Sequence, residues 1–228
     1  MGKLWKRLGF CLLLAAAVWT AGVVRDRSFL DRELIRFHVV ANSDSDEDQK
    51  IKLQVRDAVL ESLQSGMAQV GDAAQAKAYL QENLPKIENI ANETLQKAGV
   101  DSGAVVSLCR EWFDIRQYDT FTLPAGVYES LRIVLGEGEG HNWWCVAFPE
   151  LCLSATVGGF SQAAETAGMS ENLTQTLSRI EEHPIRFFFL TLWAGCGIVL
   201  NNTLFFGRIL WYYKRKTKKE AAVCCICC

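Results

Sequence analysis

The sequence offers one constellation suited to acid–base chemistry, a histidine next to a short acidic loop. His141 directly follows Gly136–Gly140, a loop in which Glu137 and Glu139 alternate with glycines. A histidine close to a carboxylate can act as a general acid or base. However, no nucleophile or group of metal ligands stands near it, and the two acids would repel a bound phosphate. The pattern therefore predicts no catalytic residue and favours a tight, mobile loop that offers a contact surface.

A second set of carboxylates lies earlier in the chain and could begin a calcium loop. Asp44, Asp46 and Asp48 alternate as calcium ligands do, but Gln49 stands where such loops need glycine, and Val55 stands where they need a bidentate glutamate. Acidic residues are also common in the first turn of a helix, where they stabilise the free N–H groups. We therefore predict a helix start here and no metal or cofactor site.

Nine cysteines provide a third kind of chemistry. Cys145 and Cys152 flank a short strand and turn, and in an oxidising compartment they would form a disulfide that adds ~2–3 kcal/mol of stability. Two separately buried thiols are the alternative for this pair. Cys109 is expected to be buried as well. The four cysteines within 224–228 are too crowded for a usual zinc site, and reactive or lipid-modified roles both stay open for them.

The N-terminus predicts export from the cytoplasm. Three basic residues precede the apolar run Leu8–Val24, the arrangement of a signal peptide or of a membrane anchor within residues 1–24. Cleavage at Ala15–Ala17 would leave a very short signal, and cleavage after Ala21 would place the bulky Trp19 at the −3 position. Cleavage and anchoring therefore both remain open.

A second apolar segment, Phe187–Tyr213, also allows two interpretations. Its basic C-terminal flank is typical of a membrane-spanning helix, but Asn201 and Arg208 in its interior are costly in lipid. Its first part overlaps Ile185–Leu192, which is aromatic-rich as strands often are. One interpretation is a last domain strand followed by a membrane-associated tail, 193–228. The other is a second spanning helix, with both termini in the cytoplasm.

Between these segments the pattern predicts one α+β domain, residues 30–192. A strand at Leu34–Val40 precedes a helix, and Pro85 divides the next helical stretch into two helices that meet near Asn83. Several strands and a further helix at Gly168–Arg179 follow. The predicted architecture is a set of helices packed on a mostly antiparallel sheet. A net charge of −2 argues against a nucleic-acid partner.

Three motifs in this domain resemble the stage II sporulation protein R family, over roughly residues 30–192. They run over residues 34–59, 121–133 and 135–152, the last including Leu-Gly-Glu-Gly-Glu-Gly-His-Asn-Trp-Trp-Cys-Val. The resemblance implies a protein made in the forespore and exported into the space between the two membranes. It also implies a partner, a membrane-embedded aspartic protease of the mother cell, which then processes the precursor of sigma factor E. Ile185–Leu190 matches the final strand of the family, whereas the tail beyond Leu192 departs from its pattern.

On this interpretation the protein is a ligand and activator without catalytic residues. The glycine loop meets aromatic residues at its end, and aromatic anchors often dominate interfaces. The partner-binding residues that we hypothesise are Glu137, Glu139, His141, Asn142, Trp143 and Trp144. Two alternatives belong to other classes. An extracytoplasmic hydrolase acting on cell wall would require His141 or a nearby acid, and a bitopic membrane scaffold would require the tail to cross the membrane.

Overall fold

Four helices and six strands make up the part of the chain that the computed structural model describes, residues 2–118, 122–149 and 170–182. The predicted strand Ile185–Leu192 and the tail 193–228 lie outside these residues. The elements in chain order are α1 Gly2–Glu33, β1 Ile35–Val40, α2 Asp46–Met67, α3 Ala73–Lys97, β2 Ala104–Phe113, β3 Arg116–Gln117, β4 Thr122–Leu123, β5 Gly126–Leu135, β6 Asn142–Phe148 and α4 Glu171–Glu182.

The main sheet has the strand order β2-β5-β1-β6. The central strand β1 is parallel to β5, with Val39 opposite Ile133, and antiparallel to β6, with Phe37 opposite Cys145. β2 completes the sheet in antiparallel contact with β5. β3 and β4 form a separate two-stranded sheet. The prediction of an α+β domain with a mostly antiparallel sheet is confirmed.

The start of α2 confirms the capping interpretation of the acidic run. The side chain of Ser45 accepts a hydrogen bond from the backbone N–H of Asp48, at 3.1 Å, and three acidic residues occupy the first turn. From there an apolar residue recurs at every fourth position and faces the sheet. These buried residues are Ile51, Val55, Val59 and Leu63.

The prediction that Pro85 divides α3 is wrong, because α3 is one helix from Ala73 to Lys97 with Pro85 inside it. Proline removes a backbone N–H and disturbs the preceding turn, at a cost of ~3 kcal/mol. The apolar face nevertheless stays in phase across it, since Leu80 and Ile87 on either side are both buried in the same core. The packing of this face outweighs the local cost of the proline.

The two faces of the sheet are covered at different places. α2 and α3 cover one face with an apolar core that includes Phe37, Val39, Leu131 and Ile133. A second, smaller core lies on the other face, where Phe113 and Tyr128 pack with side chains of α1 and α4. We call these the helix face and the second face.

The helix α1 joins the apolar N-terminal run to the domain. Its first half is exposed, and the helix as a whole is long and apolar enough to cross a membrane, a test that a signal sequence also passes. Its last part packs on the second face through Val23 and Leu30. Arg27 Nη1 donates to the backbone oxygen of Ala125 at 3.1 Å and to the hydroxyl of Tyr128 at 2.8 Å. The C-terminal third of α1 is thus part of the domain core.

Candidate interaction surface

Two loops meet at the end of the sheet where β1 and β5 finish. The backbone N–H of Glu137 donates to Asn42 Oδ1 at 3.0 Å, and that of Glu139 donates to the backbone oxygen of Asn42 at 3.1 Å. Gly140 N–H donates to the oxygen of Ala41 at 3.0 Å. These bonds fix the glycine loop against the segment that leads into α2.

The close approach of the two loops explains the alternating glycines. Gly136 has a φ of +54°, and a Cβ on it would lie 2.2 Å from Asn42 Oδ1. A Cβ on Gly140 would lie 2.2 Å from the backbone oxygen of Ser43. Side chains at either position would push the loops apart. The loop is therefore built for packing against its neighbour, and its two glutamates project outward.

His141 is joined to Asp44 across the two loops. Its backbone N–H donates to Asp44 Oδ1 at 2.6 Å, and its Nδ1 contacts the same carboxylate oxygen. Both side chains remain open to solvent, at 80% exposure for His141 and 56% for Asp44. The hydrogen bonds from His141 lower the pKa of Asp44, so this carboxylate stays charged at neutral pH.

A buried lysine supports the junction from below. Lys52 Nζ donates to the backbone oxygen of His141 at 3.0 Å and to Gln49 Oε1 at 2.6 Å. Burial lowers the pKa of Lys52. Its ammonium group is engaged beneath the surface, which leaves the outer side of the junction dominated by acidic groups. We call this outer side, formed by Asp44, Glu137, Glu139, His141 and Asn142, the loop surface.

The structure separates the two tryptophans of the hypothesised binding site. Trp143 lies on the helix face, 5.6 Å from the ring of Phe37 and 4.9 Å from the guanidinium of Arg56. Trp144 lies on the second face and stacks on His38 with 3.7 Å between ring centres. Neighbouring residues of a strand point to opposite faces, which forces this divergence. The other four hypothesised residues all belong to the loop surface.

Beneath Trp144 lies a buried ionic network that the sequence did not reveal. His38 Nδ1 contacts Glu111 Oε1 at 3.1 Å, and Arg132 Nη1 lies 3.8 Å from Glu111 Oε2. Burial raises the pKa of Glu111. The hydrogen bond and charge of His38, together with the charge of Arg132, lower it by more than burial raises it. The pKa of Glu111 therefore lies below its ordinary value of 4.5. His38 is therefore a buried histidine whose Nδ1 is hydrogen-bonded.

Arg36 is the second buried charge of this face. Its Nε donates to the backbone oxygen of Cys145 at 3.1 Å, and its Nη2 donates to the hydroxyl of Tyr118 at 2.6 Å. The guanidinium also lies 4.3 Å from the ring centre of Phe113. Burial lowers the pKa of Arg36. The aromatic rings and these hydrogen bonds replace part of the solvent that the charge has lost, while Nη1 is buried without a hydrogen-bond partner among the described residues.

The sequence predicts a buried Cys109, a disulfide between Cys145 and Cys152, and no metal site. Cys109 and Cys145 are both buried, as expected for Cys109. Cys152 lies outside the described residues, so its pairing with Cys145 stays a prediction. Within residues 2–118, 122–149 and 170–182, no group of three or more histidine, cysteine or acidic side chains has a geometry that would hold a metal ion.

Sequence reasoning located the glycine loop but missed the residues against which it packs. The acidic run that includes Asp44 predicts only a helix start, and no local pattern singles out Asn42 or Lys52. The signal was present in the run of short polar residues directly after a buried strand, which is where loops at a sheet end meet. This polar run alone does not identify the contact, because the sequence does not give the order of the strands in the sheet.

Comparison with known proteins identifies related sequences. A family model described as stage II sporulation protein R matches residues 31–157, which include the loop surface and the buried Arg36 and His38 of β1. Stage II sporulation protein R of Bacillus subtilis (strain 168) is 39% identical over 120 residues, which are 53% of this chain and 54% of that protein. The chain therefore aligns with about half the length of this relative. No solved structure matches the chain.

Proposed function

Since this chain belongs to the stage II sporulation protein R family, we propose that it is an exported signalling protein of endospore formation. It acts in the space between the forespore and mother-cell membranes and activates a membrane-embedded aspartic protease of the mother cell. That protease then processes the precursor of sigma factor E. The observation that carries the proposal is the family match over residues 31–157, preceded in the chain by an apolar helix suited to export or anchoring.

The loop surface is the part of the molecule that we assign to the partner. Its backbone is held by three hydrogen bonds to the preceding loop, so it needs little ordering on binding. Glu137, Glu139 and Asp44 give it a negative potential, which suits a basic segment of the partner. Of the two tryptophans, we assign Trp143 to the partner site, because it follows Asn142 directly and lies beside Arg56 of α2.

The disulfide between Cys145 and Cys152 is part of the same proposal. Cys145 is buried on the edge strand β6, where it lies opposite Phe37 of β1. Its backbone oxygen accepts the hydrogen bond from Arg36 Nε. A cross-link from this strand would hold the segment after β6 close to the sheet. We expect it to form only after export, where the compartment allows oxidation.

Reconstitution in a non-sporulating bacterial host tests the activator role. This protein is co-expressed with the protease and the sigma-factor precursor, and precursor cleavage is followed by immunoblot. The control carries Leu12→Arg, Leu13→Arg and Leu14→Arg, three exposed positions of α1 that make no core contact, so that export fails while the docked part of the helix is kept. Cleavage with the exported form alone supports activation from outside. No cleavage with either form, with all proteins present, rejects it.

Charge reversal tests the loop surface in the same host. We expect Glu137→Lys with Glu139→Lys to reduce precursor cleavage at least tenfold, because a basic partner segment would be repelled. The matched control is Glu82→Lys with Glu93→Lys, which makes the same charge change on exposed positions of α3. Unchanged cleavage with the loop variant, or equal loss with the α3 variant, contradicts the assignment.

The hydrolase alternative has one observation in its favour, the contact between His141 Nδ1 and Asp44, which leaves the other ring nitrogen facing solvent. A general base oriented by a carboxylate would need this pair. His141→Gln separates the two functions. As an activator the variant should keep at least a tenth of the wild-type cleavage, whereas a hydrolase should lose its activity on cell wall almost entirely.

A further inference from the structure

The outer edge of β2 differs along its length in how its backbone is covered. β2 lies at one end of the main sheet and pairs with β5 on its inner side. On its outer side, the N–H of Ala104 donates to Asn92 Oδ1 at 2.7 Å, and the N–H of Val106 donates to Glu88 Oε2 at 3.3 Å. Two side chains of α3, one turn apart, thus close the first half of this edge.

This cover ends at the next turn of α3. The residue four positions before Glu88 is Leu84, whose side chain has no hydrogen-bond acceptor. β2 stays in unbroken register with β5 from Ala104 to Phe113, so its even-numbered residues all point their backbone groups outward. Among the described residues, nothing bonds to the outward N–H groups of Leu108, Arg110 and Trp112.

The open half of the edge is also accessible from the side. Arg110 is exposed, and the Trp112 side chain is 38% exposed. Unpaired strand edges are templates for another extended chain. Antiparallel pairing with a second copy of this strand, centred on the open half, would place Arg110 opposite Arg110. Like charges directly opposite are destabilising, which argues against a second copy as the occupant.

We propose that the outer edge of β2 from Leu108 to Trp112 binds an extended acidic segment of a partner protein, which adds a strand to the sheet. The backbone groups of the three outward residues would provide the pairing, and Arg110 would favour a carboxylate opposite it. The inference rests on the proposed function in one respect, because we identify the partner as the membrane-embedded protease. The segment would then lie on the exported side of that protein.

Site-directed photo-crosslinking in the reconstituted host tests the edge. A benzophenone amino acid replaces Trp112, and a matched variant carries it at Val105, an exposed position in the half of β2 that α3 closes. Adducts are detected with antibodies against the protease and against this chain. We expect an adduct with the protease from position 112 and at least a tenfold weaker one from position 105. Equal adducts from both positions, or an adduct with a second copy of this chain, would overturn the inference.

Charge and backbone variants sharpen the result. With the crosslinker at position 112, we expect Arg110→Glu to lower the adduct yield at least fivefold, and Lys97→Glu on exposed α3 to leave it unchanged. Arg110→Pro removes an outward N–H and should have an effect at least as large, with the melting temperature checked for each variant. A full adduct yield with Arg110→Glu contradicts an acidic segment, and a full yield with Arg110→Pro contradicts strand addition.

The two proposals fail in different ways in this experiment. Precursor cleavage without the adduct from position 112 rejects docking at the β2 edge and leaves the activator role in place. The adduct without precursor cleavage supports docking and rejects activation. The absence of both rejects the protease as the partner of this edge as well as the activator role.

Discussion

Adjacent residues of β1 show how differently the two faces of the sheet are built. Phe37 and Val39 point to α2 and α3, in a core built from apolar side chains of those helices and of the sheet. Arg36 and His38 point to the second face, where they meet Glu111, Tyr118 and aromatic rings. All six residues of the strand are buried. One strand therefore supports an apolar core on one side and a buried polar network on the other.

The difference concerns specificity as much as stability. Apolar side chains gain free energy on burial and can be exchanged for others of similar volume. Buried charges lose hydration and must regain it from fixed partners, so they tolerate only one arrangement. On the second face those partners come from β2, β6 and the segment around Tyr118. We infer that the helix face provides most of the stability and that the second face fixes how α1 and its neighbours are placed.

Truncation of two neighbouring residues would test this division with the largest effect. Arg36 and Phe37 are both 0% exposed. We expect Phe37→Ala to lower the free energy of unfolding by ~3–5 kcal/mol through cavity formation. Arg36→Met keeps the apolar stem and removes a buried charge, so its cost should be only ~1–3 kcal/mol, from hydrogen-bond partners left unsatisfied. Urea unfolding monitored by circular dichroism measures both. A larger loss for Arg36→Met would reverse the comparison.

The helix face was largely predictable from the sequence. The recurrence of apolar residues at every fourth position from Ile51 to Leu63 is a local pattern, and the cap at Ser45 depends on residues only three positions away. The aromatic-rich run Asn142–Phe148 predicts a strand, and β6 has these bounds in the structure. The continuous α3 was not predicted, because the packing that outweighs Pro85 is a tertiary effect that local propensity does not contain.

The second face was not predictable, for a physical reason. Its partners lie 73 residues apart in the chain for His38 and Glu111, and 82 residues apart for Arg36 and Tyr118. No local periodicity encodes such pairs. The C-terminal part of α1, which covers this face, lies mostly beyond the predicted export segment 1–24, and no sequence pattern predicted its packing there. Of the candidate site, the glycine loop was found because its spacing is local, whereas its anchor at Asn42 required knowledge of the strand order.

Replacement of Pro85 would sharpen the comparison from the other side. If packing alone holds α3 on the helix face, Pro85→Ala should restore a hydrogen bond and relieve the clash with the preceding turn. We expect the free energy of unfolding to rise by ~1–3 kcal/mol, reduced in part because the unfolded chain becomes more flexible. Glu82→Ala, an exposed position on the same helix, is the control for added helix propensity. A loss of stability in Pro85→Ala would show that the helix face depends on a bend at this proline.

The smallest expected effect is a change in how stability depends on pH, and it arises from Glu111 on the second face. The pKa of Glu111 in the folded protein lies below its ordinary value of 4.5, so the folded state binds this proton more weakly than the unfolded state does. Glu111 therefore contributes stability that is present above pH 4.5 and is lost as the pH falls through the folded pKa.

Glu111→Gln removes this contribution while keeping the size of the side chain. The difference in unfolding free energy between wild type and variant should be constant above about pH 5 and should shrink as the pH is lowered, because a protonated glutamate resembles glutamine. Urea unfolding between pH 3 and pH 7 measures it, with Glu93→Gln on exposed α3 as the charge control. A difference that stays constant down to pH 3 would mean that His38 and Arg132 do not hold this carboxylate in its charged form. The second face would then owe its order to aromatic packing around Trp144 and Phe113, and the contrast with the helix face would be one of shape instead of charge.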